Sequence, residues 1–170
     1  FLVTDVMNRI YGPAAARRVV FAGFITGVIC SIIGSQIMLE YGPAVPLRIA
    51  VGSGIAFLTA QMLDVAVFDR LRSGRWWRAP LVSTVIGSAA DTALFFTIAF
   101  SASLSFGAGP DAAINWAWDA VPLLNFGPIQ PLWVSLAIAD WGVKLLIASA
   151  AGHVSYPQRT VMERVCADGL

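Results

Sequence analysis

The chain alternates long apolar runs with short clusters of Gly, Pro and Arg. Arg18 to Leu39, Leu47 to Arg70, Pro80 to Ser101 and Pro131 to Gly152 are each almost free of charge. A bilayer core about 30 Å thick takes about 20 apolar residues in a helix, so each run predicts one membrane-spanning helix. Phe1 to Ile10 predicts the end of a fifth, stopped before Tyr11-Gly12-Pro13, where Gly and Pro punctuate the chain. Short turns such as YGPAVP join the runs, and one longer loop covers 101–130. The expected fold is all-α: one integral membrane domain over 1–170, a polytopic bundle with four full spans and part of a fifth. The opening at Phe1, inside an apolar phrase and without the basic region of a signal peptide, predicts an N-terminally truncated chain.

Basic residues in short loops set orientation. Arg9, Arg17 and Arg18 precede the first full span, Arg70, Arg72, Arg75 and Arg78 separate the second and third, and Arg159 and Arg164 follow the fourth. All of these fall on one side, which predicts a cytoplasmic arginine face and a cytoplasmic tail at 153–170. The opposite side carries Arg48 with Glu40, and a loop at 101–130 with Asp111 and Asp119 but no Lys or Arg. That loop, with Trp116 and Trp118, is expected outside. Trp76 and Trp77 beside Arg75 and Arg78 suit an interfacial anchor.

Composition supports a lipid environment. Hydrophobic residues make up 58% and charged residues 12% of the chain, against about 45–50% and about 25% in soluble domains. A net charge of +1 leaves no broad basic patch for direct contact with nucleic acid. Cys30 in a span and Cys166 in the tail suggest neither bridge nor metal site. Gly23, Gly27, Ser31 and Ser35 recur every four residues and predict a close helix-packing seam.

The ionisable residues in the spans are Asp64, Asp91, Asp140 and Lys144, with Asp5 in the partial helix. Each such group costs about 2.5–3.5 kcal/mol at a helix centre on insertion scales. They therefore have to be paired, protonated or placed in a wet cavity. Asp140 and Lys144 are one turn apart and can neutralise one another, either locking the bundle or lining a cavity. Asp64 in QMLDVAVF and Asp91 in SAADTALF share a pattern, Asp followed by Ala and Phe at fixed spacing. Gln61 and Phe68 share a face with Asp64; Ser88 and Phe95 share one with Asp91. Thr84, Gly87, Ser88, Asp91 and Phe95 form a small, polar and aromatic stripe suited to a cavity wall. Carboxylates accept paired hydrogen bonds from a planar donor edge, and aromatic faces stack on heterocycles. A flat, donor-rich small molecule is the ligand class that this chemistry expects.

TDVMNRIYGPAAARRVVF, QMLDVAVFDRLRSGRWWRAPLVSTVIGSAADTALFFTIAF and IADWGVKLLIA resemble the queuosine precursor transporter family, also called the vitamin uptake transporter family. The resemblance covers nearly the whole chain except the outer loop. It implies a bacterial inner-membrane importer of about six helices for 7-cyano-7-deazaguanine, and for 7-aminomethyl-7-deazaguanine as a second base, serving queuosine salvage into tRNA. By motif position it also implies substrate contacts from Asp5, Asn8, Gln61, Asp64, Asp91, Thr92, Asp140 and Lys144, to which the polar stripe of the third full span adds Ser88 and Phe95 as candidates. One or two of Asp5, Asp64 and Asp91 would grip the base edge, and Phe95 or Trp141 would stack on it. Arg9 and Ser88 depart from the family pattern, which has Glu and an amide there.

Two other classes fit the sequence less well. An intramembrane enzyme lacks a Gly-x-Gly-Asp context, and the single histidine, His153, lies at a span end. A substrate-binding subunit of an energy-coupling-factor importer would need an ATPase on another chain, since no G-x-x-x-x-G-K-[ST] motif occurs. No cofactor or metal is expected. A proton-sensitive Asp140–Lys144 pair is one way that transport would be driven.

Overall fold

The computed structural model describes residues 2–40, 42–74, 78–101, 104 and 112–168, with side chains over 3–40, 42–74, 78–101, 104 and 114–150. Five helices carry the chain: α1 Leu2–Tyr11, α2 Pro13–Gln36, α3 Leu47–Leu71, α4 Arg78–Phe100 and α5 Leu132–Asp168. Four stretches are long and apolar enough to cross a bilayer, Pro13–Gln36, Leu47–Leu71, Arg78–Phe100 and Leu132–Ala150. These match the expected spans within a few residues. Helix α5 continues to Asp168, through the segment expected as a tail. Arg75, Trp76, Trp77 and Asp111 lie outside the described residues, as do the side chains of His153, Arg159, Arg164 and Cys166.

The break between α1 and α2 is set by two residues. Gly12 has φ +84, a left-handed conformation open to glycine, and its N–H donates to the Asn8 carbonyl at 3.0 Å. Pro13 then opens α2 where its missing N–H costs nothing. At the far end of α2, β1 Met38–Leu39 pairs antiparallel with β2 Gly42–Pro43. The expected loop at 101–130 is more ordered than a plain loop. It holds a 3-10 turn at Ala112–Trp118 and a hairpin of β3 Ala120–Pro122 with β4 Ile129–Pro131. Ile114 and Ala117 of that turn are buried against Phe96, Ala99 and Phe100, so the segment caps the ends of α4 and α5.

Helices α3 and α4 form the most extensively packed pair. Arg48, Gly52, Ala56, Ala60, Asp64 and Phe68 are all buried on α3 at four-residue spacing. The small members let the backbones approach; a Cβ on Gly52 would lie 3.4 Å from the backbone N of Ala99. Ala79, Ser83 and Gly87, then Ser88, Thr92 and Phe96, form the matching buried stripe on α4. This corrects the expected seam. Of the α2 residues, a Cβ on Gly23 would lie 3.4 Å from the Phe57 ring, while one on Gly27 would meet nothing within 4 Å. Gly23, Gly27, Ser31 and Ser35 instead line one wall of an apolar groove of about 420 Å³ between α2 and α3. Their four-residue spacing puts them on one face, which stays open opposite Leu47, Val51 and Phe57 of α3.

Candidate functional site

The polar residues of the bundle sort into two groups. The first joins α1, α3 and α4 towards the end that carries Arg70 and Arg78. Thr4, Asp5, Asn8, Gln61, Asp64 and Ser83 are all buried there, with Asn8, Asp64 and Ser83 at 0% exposure. Thr4 Oγ1 donates to Gln61 Oε1 at 2.9 Å, and Asn8 Nδ2 donates to the Val65 carbonyl at 3.0 Å. Ser83 Oγ lies 3.5 Å from Asp5 Oδ1. Asp64 lies beside Asp5, and both of its carboxyl oxygens are buried without a hydrogen-bond partner among the described residues. Asn8 Oδ1 is likewise unbonded. Arg9, one turn on from Asp5, sits over the Phe68 ring at 5.6 Å.

The second group joins α4 to α5. Lys144 Nζ donates to Asp140 Oδ2 at 2.5 Å, to Asp91 Oδ2 at 2.7 Å and to Thr92 Oγ1 at 3.1 Å. Thr92 Oγ1 in turn donates to Asp140 Oδ2 at 2.7 Å. An ammonium has three donors, and all three are used. The side chains of Lys144, Asp91 and Asp140 are 28%, 25% and 36% exposed, so the group is reachable where the first is sealed. It sets carboxylates beside an ammonium and a hydroxyl. That combination can accept from two N–H groups and donate to a neighbouring carbonyl on one planar edge.

The expected residues thus divide. Asp5, Asn8, Gln61 and Asp64 come together in the first group; Asp91, Thr92, Asp140 and Lys144 in the second. From Ser83 to Asp91 is eight residues of α4, about 12 Å along the axis. Ser88 is buried and donates to the Val85 carbonyl of its own helix. Phe95 lies one turn from Asp91 and packs edge-on with Phe96 and Phe100, centroids 5.2 and 6.1 Å apart. Trp141 adjoins Asp140 and is 38% exposed.

Sequence reasoning missed Thr4, Ser83 and Arg48. Thr4 and Ser83 looked like ordinary helical residues; only their place on the faces of Asn8 and Gly87 signalled burial. Arg48 is 7% exposed. Its Nε donates to the Ile98 carbonyl at 3.0 Å and its Nη2 to the Ser101 carbonyl, so it satisfies the free carbonyls at the end of α4.

A family model described as "Putative vitamin uptake transporter" matches residues 1–157. The "Queuosine precursor transporter" of Escherichia coli is 38% identical over 137 residues, 74% of this chain and 59% of that protein. The "Probable queuosine precursor transporter" of Haemophilus influenzae is 38% identical over 128 residues, 69% of this chain and 53% of the relative. Its namesake in Bacillus subtilis is 34% identical over 120 residues, 59% and 52% of the two chains. The chain therefore spans between about half and three fifths of the relatives' length. No solved structure matches.

Proposed function

This chain belongs to the vitamin uptake transporter family, a transporter and not an enzyme, and we propose that it imports a deazaguanine precursor of queuosine across the bacterial inner membrane. The observation that carries the reading is the Lys144 group, in which donors and acceptors converge between two spanning helices. A deazaguanine base presents a ring N–H and an exocyclic amine beside a carbonyl. Asp91 or Asp140 accepts from the two nitrogens while Lys144 or Thr92 donates to the oxygen, and Trp141 or Phe95 covers a ring face. Each protein bond exchanged for a ligand bond keeps the polar atoms satisfied, which a lipid-embedded site requires.

Both 7-cyano-7-deazaguanine and 7-aminomethyl-7-deazaguanine carry this edge. The relatives' printed names support a queuosine precursor as cargo. The arginine-rich loops and the C-terminal end lie on the cytoplasmic side in this reading, and the segment 101–130 faces outward. The test is uptake of radiolabelled 7-cyano-7-deazaguanine by cells that cannot make it. Wild type should accumulate the base and a normally inserted Asp91→Asn variant should not. Equal uptake by the two removes Asp91 from the site; no uptake by well-inserted wild type overturns the cargo.

A further inference from the structure

We propose that Asp5, Asp64 and Asn8 form a monovalent-cation site, for a proton or a sodium ion, that is distinct from the base-binding group. The unbonded atoms of the site are all acceptors. Asp64 is fully buried with both oxygens unbonded, and Asn8, also fully buried, keeps Oδ1 unbonded while its Nδ2 is held by the carbonyl of Val65, the residue next to Asp64. Asp5, 6% exposed, brings its carboxyl against that of Asp64. Among the described residues neither carboxyl has an ion-pair partner; the ion pairs of the bundle lie at Lys144 and at Arg72–Asp69.

Two carboxyls in contact inside a bilayer protein repel unless a positive charge sits between them. Among the described residues the surroundings supply little else. Helix α2 brings Ala16 and Val20 against Val65, α4 brings Ser83, whose hydroxyl reaches Asp5, and α1 brings Arg9, whose guanidinium lies over Phe68, one turn beyond Asp64. A neutral base edge fits poorly here. It needs one carboxylate and a donor for its carbonyl, and here two carboxyls converge while the Ser83 hydroxyl is turned to Asp5 and the Asn8 amide to the Val65 carbonyl. A small dehydrated cation needs acceptors alone. A divalent ion prefers a full shell of six or more oxygens with retained water, which a sealed group of two carboxyls, one amide and one hydroxyl does not provide.

The coupling role rests on the transport reading; the site itself does not, and it is tested first without substrate. The intact protein is purified, and its unfolding midpoint is followed by tryptophan fluorescence against Na⁺ at constant ionic strength, then against pH. A cation that binds only the folded state raises the midpoint saturably. The response should be present in wild type and in Asp91→Asn, which controls for the titrating groups around Lys144. It should be lost in both Asp64→Asn and Asp5→Asn. In Asp64→Asn the new amide supplies the missing donor, so the midpoint should already be high without the ion. Acid alone raising the midpoint identifies a proton, and Na⁺ alone a sodium ion. A response to neither, a response to Ca²⁺ only, or a response kept in Asp64→Asn overturns the proposal. Reconstituted in vesicles, wild type should then accumulate labelled 7-cyano-7-deazaguanine about tenfold for a tenfold gradient of the effective cation at one-to-one coupling. Asp64→Asn should only equilibrate it. Failure of wild type to bind the base, with the cation response intact, refutes the cargo and leaves the site standing.

Discussion

Replacing Lys144 with Met tests the energetics of the α4–α5 junction. In the native group one ammonium offsets two carboxylates, leaving a charge of −1. The variant leaves −2 at the same place, with Asp91 stripped of its Lys144 bond and Asp140 holding only the Thr92 hydroxyl. Removing one partner of a buried pair costs about 3–5 kcal/mol, whereas an exposed pair contributes at most about 1 kcal/mol. With side chains 25–36% exposed, the junction lies between these limits, and a loss of about 2–3 kcal/mol is expected. Adding Asp140→Asn to Lys144→Met returns the charge to −1, so the double variant should recover about half of that loss. Unfolding in mixed micelles, titrated with denaturing detergent and read by tryptophan fluorescence, gives the four corners of the cycle. The coupling energy should fall in the range of about 0.5–3 kcal/mol seen for residues in direct contact. A Lys144→Met variant as stable as wild type, or strictly additive losses, would show that the three groups do not share an ion pair in the membrane.

Four further outcomes follow from particular contacts. Arg48→Gln removes the donors to the Ile98 and Ser101 carbonyls and should cost about 1–3 kcal/mol, seen as faster protease cleavage within 101–131. Gly52→Leu should disrupt the α3–α4 seam, because even a Cβ there stands 3.4 Å from backbone; folded yield should drop well below that of Gly27→Leu, whose Cβ meets nothing. Thr4→Val leaves the buried Gln61 Oε1 without its donor and should lower stability by about 1–3 kcal/mol, with Thr4→Ser close to wild type. In a background without Cys30 and Cys166, a cysteine at Phe126, 97% exposed, should react with an impermeant maleimide in intact cells. One at Gly74 should react only after lysis, and the reverse pattern would invert the proposed topology.

Much of this architecture could be read from the chain, for physical reasons that differ by element. Span length is dictated by bilayer thickness, so the runs of α2 to α5 located the helices within a few residues. The Asp140–Lys144 contact followed from one-turn spacing alone. Which partners lay across the bundle did not follow, because a periodic pattern fixes a face and not the neighbour it meets. Asp91 therefore looked like a twin of Asp64, although the first is bonded to Lys144 and the second lies against Asp5. The small-residue seam was assigned to α2 for the same reason. Glycine and serine at four-residue spacing were conspicuous there, while the closer contact runs through Gly52, Ala56 and Ala60, where alanine gives little contrast against an apolar background.

The arginine at position 48 has a mechanical consequence. It starts α3 and clasps the carbonyls that end α4, while the buried stripe below it joins the same two helices along their length. Fastened at the tip and interlocked beneath, α3 and α4 behave as one beam. Helix α5 meets that beam through the polar lattice of Lys144, which bonds to Asp91 and Thr92 of α4 and to Asp140 of its own helix. The α4–α5 joint is thus held by a few polar bonds, where the α3–α4 joint is held along its whole length.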